Sequence, residues 1–401
     1  MNAWPDGWTE NTNQAQRTSE PPLPPELSPR RGAASGGVPR QQAYAGGPGG
    51  PGGPGYGGGR PGGGGGARPR VPGSRARKVK LTVLALAVVV LTWSVGTYFW
   101  ADGKVRREVD LSKVIDRPAA GKGTNYLIVG SDSRAGMTAA QKKELHTGSA
   151  AGKRTDSMMI LHVGDNGNSL ISLPRDSYVT IPSFKGSSSG KLYQSPGSDK
   201  LNAAYSMDGA TLLVRTIEYN TGLHIDHYAE IGFSGFANIV DAVGGVTLDI
   251  PQDIKDSKSG ANFKKGKQTL NGQQALEFVR TRYALAGSDL DRTKNQQKFL
   301  AALSSEVATP STVLNPFKLY PTMSAGLDTL IVDKDMSLWN LASMFWAMKS
   351  VQGGNGTSMN MPTSGSVTTS SGGSAIKWDT TKAKQLISEL KNDEKVTVKA
   401  S

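Results

Sequence analysis

The sequence predicts a mixed α/β domain carried behind one membrane-spanning helix and a glycine-rich tail. Three observations carry this reading. Residues 1–78 are dominated by Gly, Pro, Ser, Gln and Arg. A run of 21 residues without a charge, "LTVLALAVVVLTWSVGTYFWA", extends from Leu81 to Ala101. Beyond it, strand-like and helix-like apolar patterns alternate over residues 122–396, as they do in mixed α/β domains.

The tail, with stretches such as "GGPGGPGGPGYGGGRPGGGGGARPR", holds too few large apolar side chains to offset the entropy of ordering, and disorder is expected there. Its glycines cluster instead of recurring every third residue, which excludes a collagen triple helix. The 401 residues carry a net charge of +13, 50 glycines and no cysteine. A disulfide framework, a thiolate metal site and a cysteine nucleophile are therefore excluded.

The uncharged run matches the ~20 residues that a helix needs to cross a ~30 Å hydrocarbon layer, so residues 79–101 are expected to span the cell membrane once. Arg68, Arg70, Arg75, Arg77, Lys78 and Lys80 crowd its near end, and Trp93, Tyr98, Phe99 and Trp100 gather toward its far end. Lys104, Arg106 and Arg107 follow, but the near-end cluster is larger. The N-terminus is thus expected in the cytoplasm and the domain outside it. Some eighty residues precede the run and no small-x-small site follows it, unlike a cleaved signal peptide. Nucleic acid, the first partner a basic chain suggests, would then be open only to the tail. Residues 102–121 read as a linker.

Within the domain, "TNYLIVGSDSR" reads as a buried strand that leaves the core at Gly130. "SMMILHV" and "SLISL" read as two strands joined by the five residues Gly164 to Asn168, a hairpin. Folding the chain about Asn166 sets residue 156 opposite 176 and residue 157 opposite 175. The charged clusters Arg154-Thr155-Asp156 and Pro174-Arg175-Asp176 then meet at the open end. If the first strand pairs antiparallel with Ser157–Val163, Asp132 and Arg134 arrive there too.

"LNAAYSMDGATLLVRTIEYNTG" has apolar residues at helical spacing and Gly222 as its stop. "HIDHYAEIGFSGFANIVDAVGGVTLDIP" reads as a strand, a helix over Gly235–Val243, a Gly-Gly break and a strand. In "ALEFVRTRYALAGSDLDRTKNQQKFLAAL", Arg280 and Arg282 share one side of an extended segment, and a helix follows with Asp289, Arg292 and Gln296 on one face. The positive end of such a helix beside two arginines suits phosphate. "SLWNLASMFWAMK" is apolar enough to lie on a membrane, but a buried core helix is the favoured reading. His224 and His227 are not expected to bind zinc, because residues three apart on a strand point to opposite sides. No nucleotide-binding loop is present, since "AAGKGTN" lacks the first glycine of that motif.

Asp132 and Asp156 with Arg154, Arg175, Arg280, Arg282 and Arg292 form the side-chain inventory of a pyrophosphate site. Guanidinium groups grip phosphate oxygens at two points. Two carboxylates facing such a ligand call for a hard cation between them, and Mg2+ characteristically combines one or two carboxylates with phosphate oxygens. Mn2+ could take the same place.

The segments "NYLIVGSDSR", "KRTDSMMI", "SLPRDSYVTIP", "KLNAAYSMDG", "DHYAEIGFSGFANIVDAVGGVTLDIP", "LNGQQALEFVRTRY" and "DLDRTKNQQ", in this order and spacing, resemble the LytR-CpsA-Psr family. The likeness runs from residue 125 to about 300, with a less distinctive closing part to about 396, and the glycine-rich tail is similar to those of actinobacterial members. It implies a mixed central sheet flanked by helices around an apolar lipid cleft. It further implies a membrane-anchored transferase that moves a glycopolymer from a polyprenyl-pyrophosphate carrier to peptidoglycan.

Carried over residue by residue, Asp132 and Asp156 would hold the metal. Arg154, Arg175, Arg280, Arg282 and Arg292 would bind pyrophosphate, and Asp289 and Gln296 would form the polar pair of the helix. Arg154, Arg175 and Asp289 would act in catalysis, with Asp289 the candidate to take the acceptor's proton. A pyrophosphate hydrolase, or a lipid-binding envelope regulator without ligase activity, is the alternative reading.

Overall fold

A computed structural model describes residues 73–132, 155–281, 289–369 and 372–399. Helix α1, Gly73–Asp102, contains the segment Arg75–Asp102, long and apolar enough to cross a membrane. Strands β1 (Arg106–Val109), β2 (Thr124–Ser131), β3 (Thr155–Gly164) and β4 (Gly167–Leu173) follow. Four short strands, β5 (Tyr178–Ile181), β6 (Phe184–Lys185), β7 (Leu192–Tyr193) and β8 (Gly197–Lys200), lead into helix α2 (Leu201–Thr221). Next come β9 (His227–Ile231), α3 (Phe233–Val243), β10 (Val246–Ile250), β11 (Ile254–Asp256), β12 (Ala261–Phe263) and β13 (Gly266–Leu270). Helices α4 (Gly272–Arg280), α5 (Asp289–Val307), α6 (Pro310–Val313) and α7 (Pro316–Leu327) precede β14 (Leu330–Asp333). Helix α8 (Leu338–Gln352), strands β15 (Gly356–Asn360), β16 (Thr363–Thr368) and β17 (Ser374–Trp378), and helix α9 (Thr380–Lys391) close the domain.

Seven strands form the central sheet in the order β1-β14-β9-β2-β3-β4-β15, with β2 parallel to β9 and antiparallel to β3. The sheet is mixed, as expected. Its central strands are apolar almost throughout because both faces are covered. Leu127, Val129, Met158 and Ile160 pack with Leu213 and Ile217 of α2 and Leu386 of α9. Tyr126, Met159, Leu161 and Leu170 pack on the other face with Leu341 and Met344 of α8. A third cluster joins Val240, Val246, Phe278 and Phe299 of α3, β10, α4 and α5.

Helix α2 ends at Gly222 as read, but it carries a kink at Asp208-Gly209. Helix α8 buries Leu341, Met344, Ala347 and Val351 on the sheet side while Trp339 and Trp346 stay exposed. The stretch expected as a linker contributes edge strand β1, and it buries Leu111 and Val114 in the core.

The β3–β4 hairpin departs from the expected register by one residue. The strands pair Met158 with Leu173 and Gly164 with Gly167, so only Asp165 and Asn166 form the turn. Gly167 adopts φ 119°, which L side chains rarely reach, and lets the turn close this tightly. The C-terminal segment then locks the turn. Asp393 accepts the backbone N–H of Asp165 at 2.8 Å, its carboxyl lies 3.3 Å from His162 Nε2, and its carbonyl accepts Asn166 Nδ2 at 2.6 Å.

Burial alone would raise the Asp393 carboxyl, but the hydrogen bonds from His162, Asp165 and Asn166 outweigh it and hold the group below its ordinary range. A carboxyl lowered on folding adds stability above its unfolded value, and that contribution is lost as pH falls through the lowered native value. Asp393→Asn keeps the shape but removes the charge. Thermal melting in detergent should show it about 1–2 kcal/mol less stable than the parent at pH 7, with the gap closing below about pH 4.

Candidate active site

Strands β2 and β9 run parallel side by side, so both carboxyl ends reach the same edge of the sheet. β3 begins and β4 ends at that edge because each runs antiparallel to its neighbour. Asp132 directly after β2, Asp156 at the start of β3, Arg175 just past β4 and Gly232 just past β9 therefore converge there. Together they line a cavity of about 410 Å³, to which Arg280 and Gln296 also contribute. Its remaining wall includes Ile128, Met159, Ile231, Phe233, Phe236, Leu276, Val279 and Leu300. The lining is thus divided between charged or polar side chains and apolar ones.

Arg175 is held from two sides. Its Nη1 donates to Asp156 Oδ1 at 2.8 Å, and its Nε lies 3.3 Å from Asp176 Oδ2. Asp176 in turn accepts Lys200 Nζ at 2.9 Å. The result is an alternating row, Lys200, Asp176, Arg175, Asp156, in which every charge faces an opposite one. Asn202 N–H also donates to the Arg175 carbonyl at 3.1 Å, tying the loop to the first turn of α2.

Arg280 does not lie on an extended segment as the sequence reading had it. It is the last residue of α4, which starts at a capping box in which Asn271 and Gln274 satisfy each other's backbone N–H groups. The guanidinium sits 5.0 Å over the Phe233 ring, a cation–π contact at a helix C-terminus where positive charge is favoured. Helix α3 starts two residues earlier than expected. Gly232 and Phe233 at its uncapped N-terminus line the cavity, which adds the positive end of a helix dipole to the arginines.

Gln296 lines the cavity from α5, with Nε2 3.4 Å from the Val279 carbonyl. Asp289 and Arg292 lie in the first turns of α5, but their side chains fall outside the described residues, as do Arg154 and Arg282 altogether. His224 and His227 form no metal pair. His224 Nδ1 is 2.9 Å from the Pro118 carbonyl, and His227 is paired with Asp333.

Three cavity residues had no signal in the sequence. Asp256, Lys258 and Ser259 come from the β11–β12 turn, where Asp256 Oδ1 accepts the Lys258 N–H at 3.0 Å. Ser259 Oγ lies 3.3 Å from Thr281 Oγ1 and so fastens this turn to the end of α4.

Asp132, Asp156 and Asp256 are the acidic residues of the lining, and Asp156 accepts a hydrogen bond from Arg175. Among the described residues no group of three or more His, Cys, Asp or Glu gathers. Two carboxylates beside guanidinium groups suit a hard cation such as Mg2+, which completes its coordination with water and phosphate oxygens, better than a site built wholly from protein.

Comparison with known proteins decides the family. The model of the LytR_cpsA_psr family matches residues 100–392. The chain belongs to this family.

It is 41% identical over 270 residues to the probable cell wall biosynthesis protein LcpB of Corynebacterium glutamicum, covering 67% of this chain and 62% of the relative. It is 34% identical over 194 residues to the polyisoprenyl-teichoic acid–peptidoglycan teichoic acid transferase TagU of Oceanobacillus iheyensis, covering 46% and 56%. The chain thus spans between half and two thirds of the length of these curated relatives. Among solved structures it resembles the LytR-Csp2A-Psr enzyme from Actinomyces oris, with TM-score 0.51 at 20% identity over 71% of this chain and 96% of that one. Protein gbs0355 from Streptococcus agalactiae gives TM-score 0.54 at 22% identity over 70% and 91%. These two likenesses establish the fold.

Beneath this LytR-CpsA-Psr site lies a buried polar cluster. Tyr205 and Tyr228 each donate a 2.7 Å hydrogen bond to one oxygen of Glu230, which stands beside Val129 in the β2–β9 ladder. Burial first, and then the negative charges of Glu230 and Asp132, push the Tyr205 hydroxyl well above its ordinary value, so it stays protonated and donating. Glu230 is two residues from the level of Ser131, and the cluster ties α2 to β9 below the cavity edge. Tyr205→Phe leaves Glu230 with one lost donor in a buried setting. The variant should melt at lower temperature, corresponding to about 1–3 kcal/mol.

Proposed function

We propose that the protein is a membrane-anchored transferase that moves a glycopolymer from a polyprenyl-pyrophosphate carrier onto peptidoglycan. The observation that carries this reading is the divided lining of the cavity. Asp132, Asp156, Arg175 and Arg280 share it with Phe233, Phe236, Leu276 and Leu300. A diphosphate needs the first set and a polyprenyl chain the second, and one carrier presents both chemistries in a single molecule. The names of the relatives, which speak of cell wall biosynthesis and of teichoic acid transfer to peptidoglycan, support it.

In the proposed reaction an acceptor hydroxyl attacks the sugar-linked phosphorus, a new P–O bond forms, and polyprenyl phosphate leaves with the electrons of the broken bond. Charge grows on the phosphoryl oxygens, so positioning and electrostatics do most of the work. Arg175 and Arg280 neutralise that charge and orient the diphosphate. Asp132 and Asp156 would hold Mg2+, which when bound supplies further charge neutralisation. Arg154, Arg282 and Arg292 add to the cationic lining in this reading, and Asp289 takes the proton from the acceptor. The basic cluster at the near end of the uncharged run supports a cytoplasmic N-terminus and a site on the outer side of the membrane.

The test incubates the detergent-purified protein with Mg2+, a polyprenyl-pyrophosphate glycan and peptidoglycan, and follows sugar-phosphate joined to the wall. Arg175→Ala and Asp156→Ala should each lower joining by about two to three orders of magnitude with melting temperature little changed. Wild-type joining by either variant would refute the site. Release of polyprenyl phosphate and free glycan phosphate without joining would identify a hydrolase instead. Chelation by EDTA should abolish joining, and added Mg2+ should restore it.

A further inference from the structure

Helix α7 is fastened to the last turns of α1. The Tyr320 ring lies edge-on to Trp100 with centroids 4.9 Å apart, and 6.5 Å from Trp93. The Tyr320 hydroxyl shares a hydrogen bond with Thr97 Oγ1. Just past α7, Asp328 pairs with Lys104 at 3.0 Å, and that ammonium sits 5.6 Å over the Trp100 ring. Contacts on both sides of Ala101 therefore fix the height of α7 against the uncharged run.

Thr97 precedes Ala101, the last residue of that run, by four positions. At 1.5 Å per residue it stands about 6 Å inside the apolar layer. Helices that lie in the membrane interface bury their apolar faces about 5–10 Å into it. Within two turns of Tyr320, the α6–α7 corner presents Leu314 at 81% exposure and Phe317 at 90%, with Pro316, Lys318 and Pro321 exposed beside them. Large apolar side chains this exposed are costly in water, and they cost nothing in acyl chains.

We infer that α6 and α7 form a second membrane contact, in which Leu314 and Phe317 enter the interfacial layer of the leaflet at the C-terminal end of α1. The inference rests on the reading of α1 as a membrane anchor. Its partner is the lipid surface, because the exposed face is continuous with the apolar helix and Tyr320, Trp100 and Lys104 are side chains suited to the headgroup boundary.

The contact reaches the cavity through one helix. Thr322 Oγ1 donates to the Ala242 carbonyl of α3 at 3.3 Å. Thr329 packs so closely on Gly235 that a Cβ there would lie 2.6 Å from the threonine Cβ. Helix α3 carries Phe233 and Phe236 of the cavity wall. Lipid-facing α7 thus backs directly onto the helix that supplies the apolar lining.

The natural absence of cysteine makes the test direct. Leu314→Cys and Phe317→Cys replace exposed side chains, so folding is spared. Each is made in the full chain, labelled with a polarity-sensitive fluorophore and placed in nanodiscs of phosphatidylcholine and phosphatidylglycerol. Leu86→Cys in the middle of α1 and Glu394→Cys on the exposed C-terminal segment serve as references. The labels at 314 and 317 should shift to the blue and be quenched by nitroxide lipids, as at 86 and unlike 394. If 86 is quenched while 314 and 317 behave like 394, the second contact is wrong and the anchor stands. If 86 also behaves like 394, the anchor reading fails and the second contact fails with it.

Discussion

The placement of β2 between a parallel neighbour, β9, and an antiparallel one, β3, is the constraint on which the rest depends. Both faces of these strands are covered by apolar layers, so charge is costly to carry along them unless it is hydrogen-bonded, as Glu230 is. Charged residues adjoining the strands must be expelled at the ends. Because the three strands are in register, Asp132, Asp156 and the residues after Ile231 come out at one edge and not over several surfaces. The hairpin adds Arg175 to the same edge. A cavity rimmed with charge and floored with apolar side chains follows from strand order before any ligand is considered.

Charges gathered this way must be mutually satisfied while the site waits. The row from Lys200 through Asp176 and Arg175 to Asp156 does this with partly buried groups, each at 17–32% side-chain exposure. In the proposed reaction a diphosphate takes the guanidinium face that Asp156 holds, and the released carboxylate becomes available to a cation. The exchange keeps opposite charges paired throughout, which avoids the several kcal/mol that an uncompensated buried charge would cost. Asp176 does not line the cavity, and its role is to keep Arg175 aimed while its other partner changes.

Much of this was legible in the sequence, for reasons that can be stated residue by residue. The apolar runs of β2, β3 and β4, the stop at Gly222 and the uncharged helix α1 are strong periodic or compositional signals, and the charged clusters beside them marked the site's edge. What was misread turned on local geometry. The hairpin register slipped by one because Gly167 permits a tighter turn than five polar residues suggest. Arg280 looked extended because the Asn271–Gln274 capping box begins a helix too short for its periodicity to stand out. Asp256, Lys258 and Ser259 sit in a turn whose composition is that of any turn, so only tertiary packing against Thr281 brings them to the cavity. Edge strand β1 is four residues long and charged on its exposed side, which is how a sheet edge resists pairing with another chain and also why it reads as linker.

Glu230 shows how one charged group is kept within the apolar sheet beneath the site. A carboxylate beneath β2 is costly to bury, and the two tyrosine hydroxyls repay part of that cost by donating to both of its oxygens. An apolar trio of similar volume would fill the space but could slide. Directed hydrogen bonds from Tyr205 of α2 and Tyr228 of β9 permit one arrangement only, so α2 keeps a fixed spacing from β9. The first turn of α3 inherits that placement, because the helix begins three residues after Glu230.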